Sequence, residues 1–177
     1  ASNTADEQTA QAGMHHDGMH VFPLGDDGQR ALLVLNHEYT DEHLLHPDGA
    51  TPPTPAKVRK SQHAVGVSVI EIARDPTGWR QVLPSRHARR IHANTPMALS
   101  GPAAGSRLLQ TSLDPSGRQV LGTLANCAMG VTPWGTYLTC EENFNGYFGS
   151  TDPALEIPAA FARYGIEGEG GYAYETF

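Results

Sequence analysis

This sequence is poor in charge, nearly without cysteine and without long apolar runs. Only 18% of its 177 residues are Asp, Glu, Lys or Arg, against 19 glycines and 13 prolines. That balance excludes a protein of long solvated helices and favours short strands joined by many turns. Positive charge is the scarcer kind, with 12 Lys and Arg against 19 Asp and Glu, a net charge of −7. Nucleic acid is therefore not expected as a partner, because a phosphate backbone needs clustered Lys and Arg. The acidic surplus suits bound cations and equally suits plain solubility. Two cysteines do not make a disulfide framework and leave the redox compartment open. No apolar run approaches ~20 residues, so no membrane span is expected. The polar start at Ala1 is not that of a signal peptide. The length suits one domain, residues 1–177, able to bury a core.

Turn residues divide the chain. Residues 1–13 are small and polar and are expected to be frayed. Met14-His15-His16-Asp17-Gly18-Met19-His20 sets imidazoles around an Asp-Gly turn, either a metal-binding tract or a loop entering a strand. Residues 21–24 and 30–35 read as a hairpin about Gly25-Asp26-Asp27-Gly28. Its second strand is apolar on both faces and should be central. It ends in Asn36-His37-Glu38-Tyr39, either a site built at a strand end or groups satisfying turn amides. Pro55 opens a short helix running to Ala64. Residues 65–73 pair with 79–83, and 107–112 with 118–124 about Asp114-Pro115-Ser116-Gly117. Residues 134–140 add a further strand. Residues 152–164 are expected to be helical, interrupted at Pro158, and 165–177 alternate as a strand would. Regular strands and turns of this kind build a sandwich, barrel or propeller.

Two stretches carry candidate chemistry. Residues 86–97 hold Arg86, Arg89 and Arg90 with Asn94, which together suit an anion or else form a solvated face. The loop 100–106 is glycine-bearing but lacks the Gly-Lys-Ser/Thr ending of a phosphate-binding P-loop. The second stretch is Asn126-Cys127-Ala128-Met129-Gly130-Val131-Thr132-Pro133-Trp134-Gly135-Thr136-Tyr137-Leu138-Thr139-Cys140-Glu141-Glu142-Asn143. Thiolate suits iron, copper or zinc, whereas carboxylate suits calcium, magnesium or manganese, so this stretch mixes soft and hard ligands. Alternation puts Cys140 and Glu142 on one strand face and Glu141 on the other. Both glutamates reach one cluster only if the strand ends at Cys140. Cys127 precedes the Pro133 turn and can fold back toward that strand end. Cys127 reads as a metal thiolate, an inert thiol or the disulfide partner of Cys140. Cys140 reads as a buried small hydrophobe, and the glutamates as ligands or an exposed strand end.

The long stretch resembles the signature of the PhoX family of bacterial alkaline phosphatases. The resemblance extends to His16-Asp17-Gly18-Met19, Leu35-Asn36-His37-Glu38-Tyr39, residues 66–72 and Arg90-Ile91-His92-Ala93-Asn94-Thr95-Pro96, in family order. It implies an exported, periplasmic or extracellular phosphomonoesterase. It also implies a β-propeller, of which this mainly β chain of antiparallel hairpins would form part. It implies a cofactor of ferric iron and calcium and small phosphomonoester substrates. By motif match Cys127 would ligate iron, and Glu141 or Glu142 would ligate the cluster. Asn94 would contact phosphate, with Arg90 beside it, and Glu38 is a further metal candidate. Family members are several times longer. The 177 residues are therefore expected to be a fragment that is inactive alone, exposes apolar sheet faces, and self-associates or holds a complementary chain. The alternatives are a non-catalytic calcium-stabilised binding module and a propeller hydrolase acting on another ester.

Overall fold

The computed structural model describes residues 3–168 and 170–172. The chain is mainly β and antiparallel, with a few short helices. A short helix, α1 (Ala5–Gln8), precedes strands β1 (His16–Pro23) and β2 (Arg30–His37). Helices α2 (Glu42–Leu45) and α3 (Pro55–Ala64) follow, then strands β3 (Gly66–Asp75), β4 (Gly78–Gln81) and β5 (Arg89–Ile91). These five strands form one sheet in the order β1-β2-β3-β4, with β5 also paired to β3. Strands β6 (Pro96–Ala98) and β7 (Gln119–Leu121) make a second sheet. Strands β8 (Asn126–Val131) and β9 (Tyr137–Glu141) make a third, and α4 (Ala159–Ala162) follows.

The core lies where the sequence is most apolar. Val34 on β2 pairs with Val69 on β3. Val67 joins them, and Phe22, Leu32, Ile91 and Tyr137 pack against this cluster. Tyr137 belongs to β9, so the third hairpin is docked on the main sheet. Gly66 has φ +97°, and a Cβ there would lie 2.1 Å from the Ile91 carbonyl oxygen. Only glycine lets β5 approach β3 so closely. Among the described residues no helix is long and apolar enough to cross a membrane.

Several expectations are corrected. Residues 3–13 carry defined local structure, and residues 1–2 lie outside the described residues. Thr4 and Glu7 form a capping box, Gln8 is buried, and His63 of α3 contacts the Ala5 carbonyl at 2.8 Å. Packing on α3 outweighs the small polar composition of residues 3–13. Residues 107–112 are not a strand: Arg107–Leu109 is a 3₁₀ turn capped by Ser106. The Asp114 carboxylate collects the N–H groups of Ser116, Arg118 and Gln119. That loop frees β7 to pair with β6 instead, Pro96 opposite Leu121. Strand β9 starts at Tyr137 rather than Trp134, because residues 132–135 form the turn, leaving Trp134 exposed. Only Ala159–Ala162 of the expected C-terminal helix forms, just past Pro158. Of the expected terminal strand, residues 165 and 171–172 are turn, and 169 and 173–177 lie outside the described residues.

Candidate metal centre

Strands β1, β2 and β8 converge on one point. His16 pairs with His37, but the β1–β2 register slips between His16 and Met19. The slip carries Asp17 and Gly18 out of the regular ladder. Gly18 lies against β8 so tightly that a Cβ there would sit 2.6 Å from the Cys127 carbonyl oxygen. Glu38 immediately follows β2 and is anchored by its backbone N–H to the His15 carbonyl at 3.0 Å. The result is that ligand atoms of Asp17, Glu38 and Cys127 all lie within 4.8 Å of one another. Cys127 is buried, Glu38 half-buried and Asp17 exposed.

The second strand of the third hairpin leads into a third carboxylate, Glu142. Ala125 adopts φ +50° just ahead of β8, and the Glu142 N–H donates to the Ala125 carbonyl at 2.8 Å. This closure brings Glu142 to Cys127. Burial, first, and then hydrogen bonds to the Glu38 and Glu142 carboxylates push the Cys127 thiol well above its ordinary range. A thiol pressed against two carboxylates keeps its proton unless a cation takes the proton's place. A cavity of about 420 Å³ opens beside it, lined by Glu38, Glu142, Asn143 and Asn145 among others. One sulfur and several carboxylate oxygens around one point fit a soft, thiolate-binding metal with hard-ligand neighbours.

The two adjacent glutamates part company. Strand β9 runs through Glu141 instead of ending at Cys140. The Glu141 carboxylate accepts from Thr123 Oγ1 at 2.6 Å and from the Leu124 N–H at 3.1 Å. Cys140 is exposed rather than buried, because it falls on the uncovered side of the two-stranded β8–β9 sheet. The two cysteines are free thiols.

A polar network joins these elements. Asn126 Nδ2 donates to Thr123 Oγ1 at 2.9 Å and to Thr139 Oγ1 at 3.0 Å. Thr139 in turn donates to Asn36 Oδ1 at 3.1 Å. Asn36 Nδ2 donates to the Cys127 carbonyl at 2.7 Å. The chain of bonds thus leads from the Glu141 carboxylate to the backbone of Cys127.

Arg90 and Asn94 lie outside the Asp17–Glu38–Cys127 group. Arg90 is turned into the protein. Its Nη2 donates to the carbonyls of His63 and Val65 at 3.0 and 2.8 Å, and Nη1 donates to Ser68 Oγ at 3.2 Å. Burial lowers its pKa to about 10. Ser68 Oγ is also 2.7 Å from His37 Nε2, so Arg90 is linked through Ser68 to the residue before Glu38. Asn94 Nδ2 donates to Gln62 Oε1 at 2.7 Å, and its backbone N–H donates to His92 Nδ1 at 3.2 Å. Burial, then His63 and Arg90, lowers His92 to about 4.

The imidazoles of residues 14–20 do not gather as a tract. His15 stacks on Tyr39 with centroids 3.7 Å apart, and His16 meets His37 edge-on at 5.0 Å. The residue of that segment that does join the candidate centre is Asp17, which the histidine reading passed over. Its signal was the following Gly18, a residue type suited to close backbone approach.

The whole of residues 1–177 matches the family model described as alkaline phosphatase PhoX. A solved structure of Pseudomonas fluorescens PhoX, in complex with vanadate, a transition state analogue, is 48% identical and superposes with a TM-score of 0.89. The match covers 93% of this chain and 28% of that one, so the chain spans less than a third of the relative's length. Among curated proteins none matches this chain. On the full-length family match and this identity, the chain belongs to the PhoX family of alkaline phosphatases.

Proposed function

We propose that the chain is part of an enzyme that hydrolyses phosphate monoesters at a multinuclear iron and calcium site. The single observation that carries this reading is the convergence of Cys127, Glu38 and Asp17 within 4.8 Å, in a chain whose 48% identical relative binds a transition state analogue. Cys127 would hold ferric iron. Glu38, Asp17 and Glu142 offer oxygens to iron and to calcium. Glu141 is kept as a ligand candidate only if its carboxylate leaves Thr123. When bound, such cations supply positive charge that stabilises the transferring phosphoryl group.

The protein's own residues do the rest. Asn94 donates its amide to a phosphoryl oxygen, and Gln62 fixes which way that amide points. Arg90 Nε is buried without a partner among the described residues, so its N–H remains as a donor after the guanidinium has tied down α3 and β3. Tyr39 and Tyr147 wall the cavity beside Glu38 and Glu142 and limit water entry.

The three sheets are proposed to be parts of a β-propeller whose other blades cover their open faces. Leu108, Leu113 and Trp134 are 91, 83 and 79% exposed, which favours a covering partner of apolar character. The isolated 177 residues are accordingly proposed to be inactive and to self-associate or bind a complementary chain. The intact enzyme is proposed to act in the periplasm or outside the cell. The rival reading, a calcium-stabilised binding module, leaves the buried thiol without a role.

The test is to assay the intact protein on p-nitrophenyl phosphate and to measure its metals. Iron together with calcium, and loss of hydrolysis on chelation, supports the proposal. Calcium alone with no hydrolysis contradicts it and supports the binding module.

A further inference from the structure

We infer that Asn36 is the positioning residue of the metal centre, a single buried amide that sets the relative placement of all three strands carrying its ligands. The inference rests on the metal reading of Asp17, Glu38 and Cys127. Asn36 is completely buried, and every hydrogen-bonding capacity of its side chain is used. Its two N–H donors go to the carbonyls of Cys127 at 2.7 Å and Ala128 at 3.3 Å. Its oxygen accepts from Tyr137 Oη at 2.9 Å and Thr139 Oγ1 at 3.1 Å.

Only a carboxamide offers two donors at one end and two acceptor sites at the other. A flipped amide would set its oxygen against two carbonyl oxygens, so the orientation is determined. The bonds to β8 and to Tyr137 lead to ligand residues or to their neighbours. The Cys127 carbonyl belongs to the thiol residue itself. Tyr137 Oη is also 2.9 Å from the carbonyl of Gly18, the neighbour of Asp17, so its single proton is shared between that oxygen and Asn36 Oδ1. Glu38 is two residues along the backbone from Asn36. One amide therefore fixes the thiol and both carboxylates, while touching none of their ligand atoms. Residues that orient metal ligands in this way typically change metal affinity by about 10–100-fold when altered.

The test uses the intact protein loaded with ferric iron. Asn36→Asp keeps the shape and the acceptor end but turns the donors into a carboxylate facing the Cys127 and Ala128 carbonyls. Iron affinity should fall about 10–100-fold, and the sulfur-to-iron charge-transfer band should shift, with circular dichroism unchanged. Tyr137→Phe is the milder companion and carries the test if Asn36→Asp does not fold. It removes one donor to Asn36, a loss of roughly 5-fold in affinity for one hydrogen bond, with a smaller shift of the same band. Cys127→Ser is the control for the metal reading. If Cys127→Ser loses iron while the folded Asn36 and Tyr137 variants keep the parent affinity and spectrum, the positioning role is overturned and the metal reading stands. If Cys127→Ser binds iron like the parent, the metal reading fails and takes this inference with it.

Discussion

Gly18→Ala is the substitution whose consequence follows most directly from the packing at the candidate centre. Its new Cβ would lie 2.6 Å from the Cys127 carbonyl oxygen and 2.8 Å from Met129 Cγ. Methionine can swing aside, but the carbonyl belongs to strand β8 and is held from the other side by Asn36. The strands must separate, and overpacking of this kind costs roughly 1–3 kcal/mol. Gly130 is the internal control, because it lies on β8 itself and a Cβ there would meet only Leu138, Cβ at 3.9 Å and Cδ1 at 4.0 Å. Alanine at 130 should be neutral or stabilise by up to about 1 kcal/mol through the unfolded chain. The two variants should therefore differ by about 1–4 kcal/mol. Urea midpoints of the intact, metal-free protein read this difference, and iron titration reads its effect on the centre. Gly18→Ala should bind iron more weakly and Gly130→Ala should not. Equal midpoints and equal iron binding would refute the claim that β1 and β8 are in closest approach at Gly18.

Two further outcomes are expected. Burial lowers His92 to about 4 in the folded chain against about 6.5 unfolded. Between these values the unfolded chain binds the extra proton, so stability falls as pH drops, and solvent screening of this half-buried ring holds the loss at pH 5 to about 1 kcal/mol relative to neutrality. His92→Gln should remove that part of the slope in urea titrations at pH 5 and 7.5, and an unchanged slope would contradict the burial of a neutral imidazole. Cys140 is exposed and Cys127 buried. A maleimide should therefore label Cys140 rapidly in the native, metal-free protein and reach Cys127 only on unfolding, as peptide mapping would show. Equal labelling of both would contradict the placement of the β8–β9 hairpin.

The parts of the fold legible in the sequence were those set by local chemistry. The apolar run at 31–35 became the central strand because both its faces are covered. Pro55 and the glycine-rich turn at 25–28 delimited α3 and the first hairpin. The parts that escaped depend on partners distant in sequence. Strand β5 is only three residues long and exists because Gly66 admits it against β3. Strand β7 pairs with β6 rather than with 107–112 because Asp114 consumes the loop's amides, a bond pattern that periodicity does not reveal. Residue types and motif named Cys127, Glu38 and Glu142 as ligand candidates, and the fold sets them near one another. Asp17 was hidden among histidines, and Asn36 read either as part of a site at the strand end or as a turn-satisfying amide. Its role appears only when β8 and β9 are laid over the end of β2. Alternation along one strand separated Glu141 from Glu142 correctly, but it could not say that Thr123 would claim Glu141 or that Glu142 would reach Cys127.

The central claim is that the Cys127 sulfur is a metal ligand in an iron-bearing phosphatase centre. X-ray absorption at the iron edge of the intact protein, compared with Cys127→Ser, tests it most directly. The parent should show a sulfur scatterer bound to iron, which disappears in the variant together with iron and phosphomonoesterase activity. An iron shell of oxygen and nitrogen alone, identical in parent and variant, would contradict it.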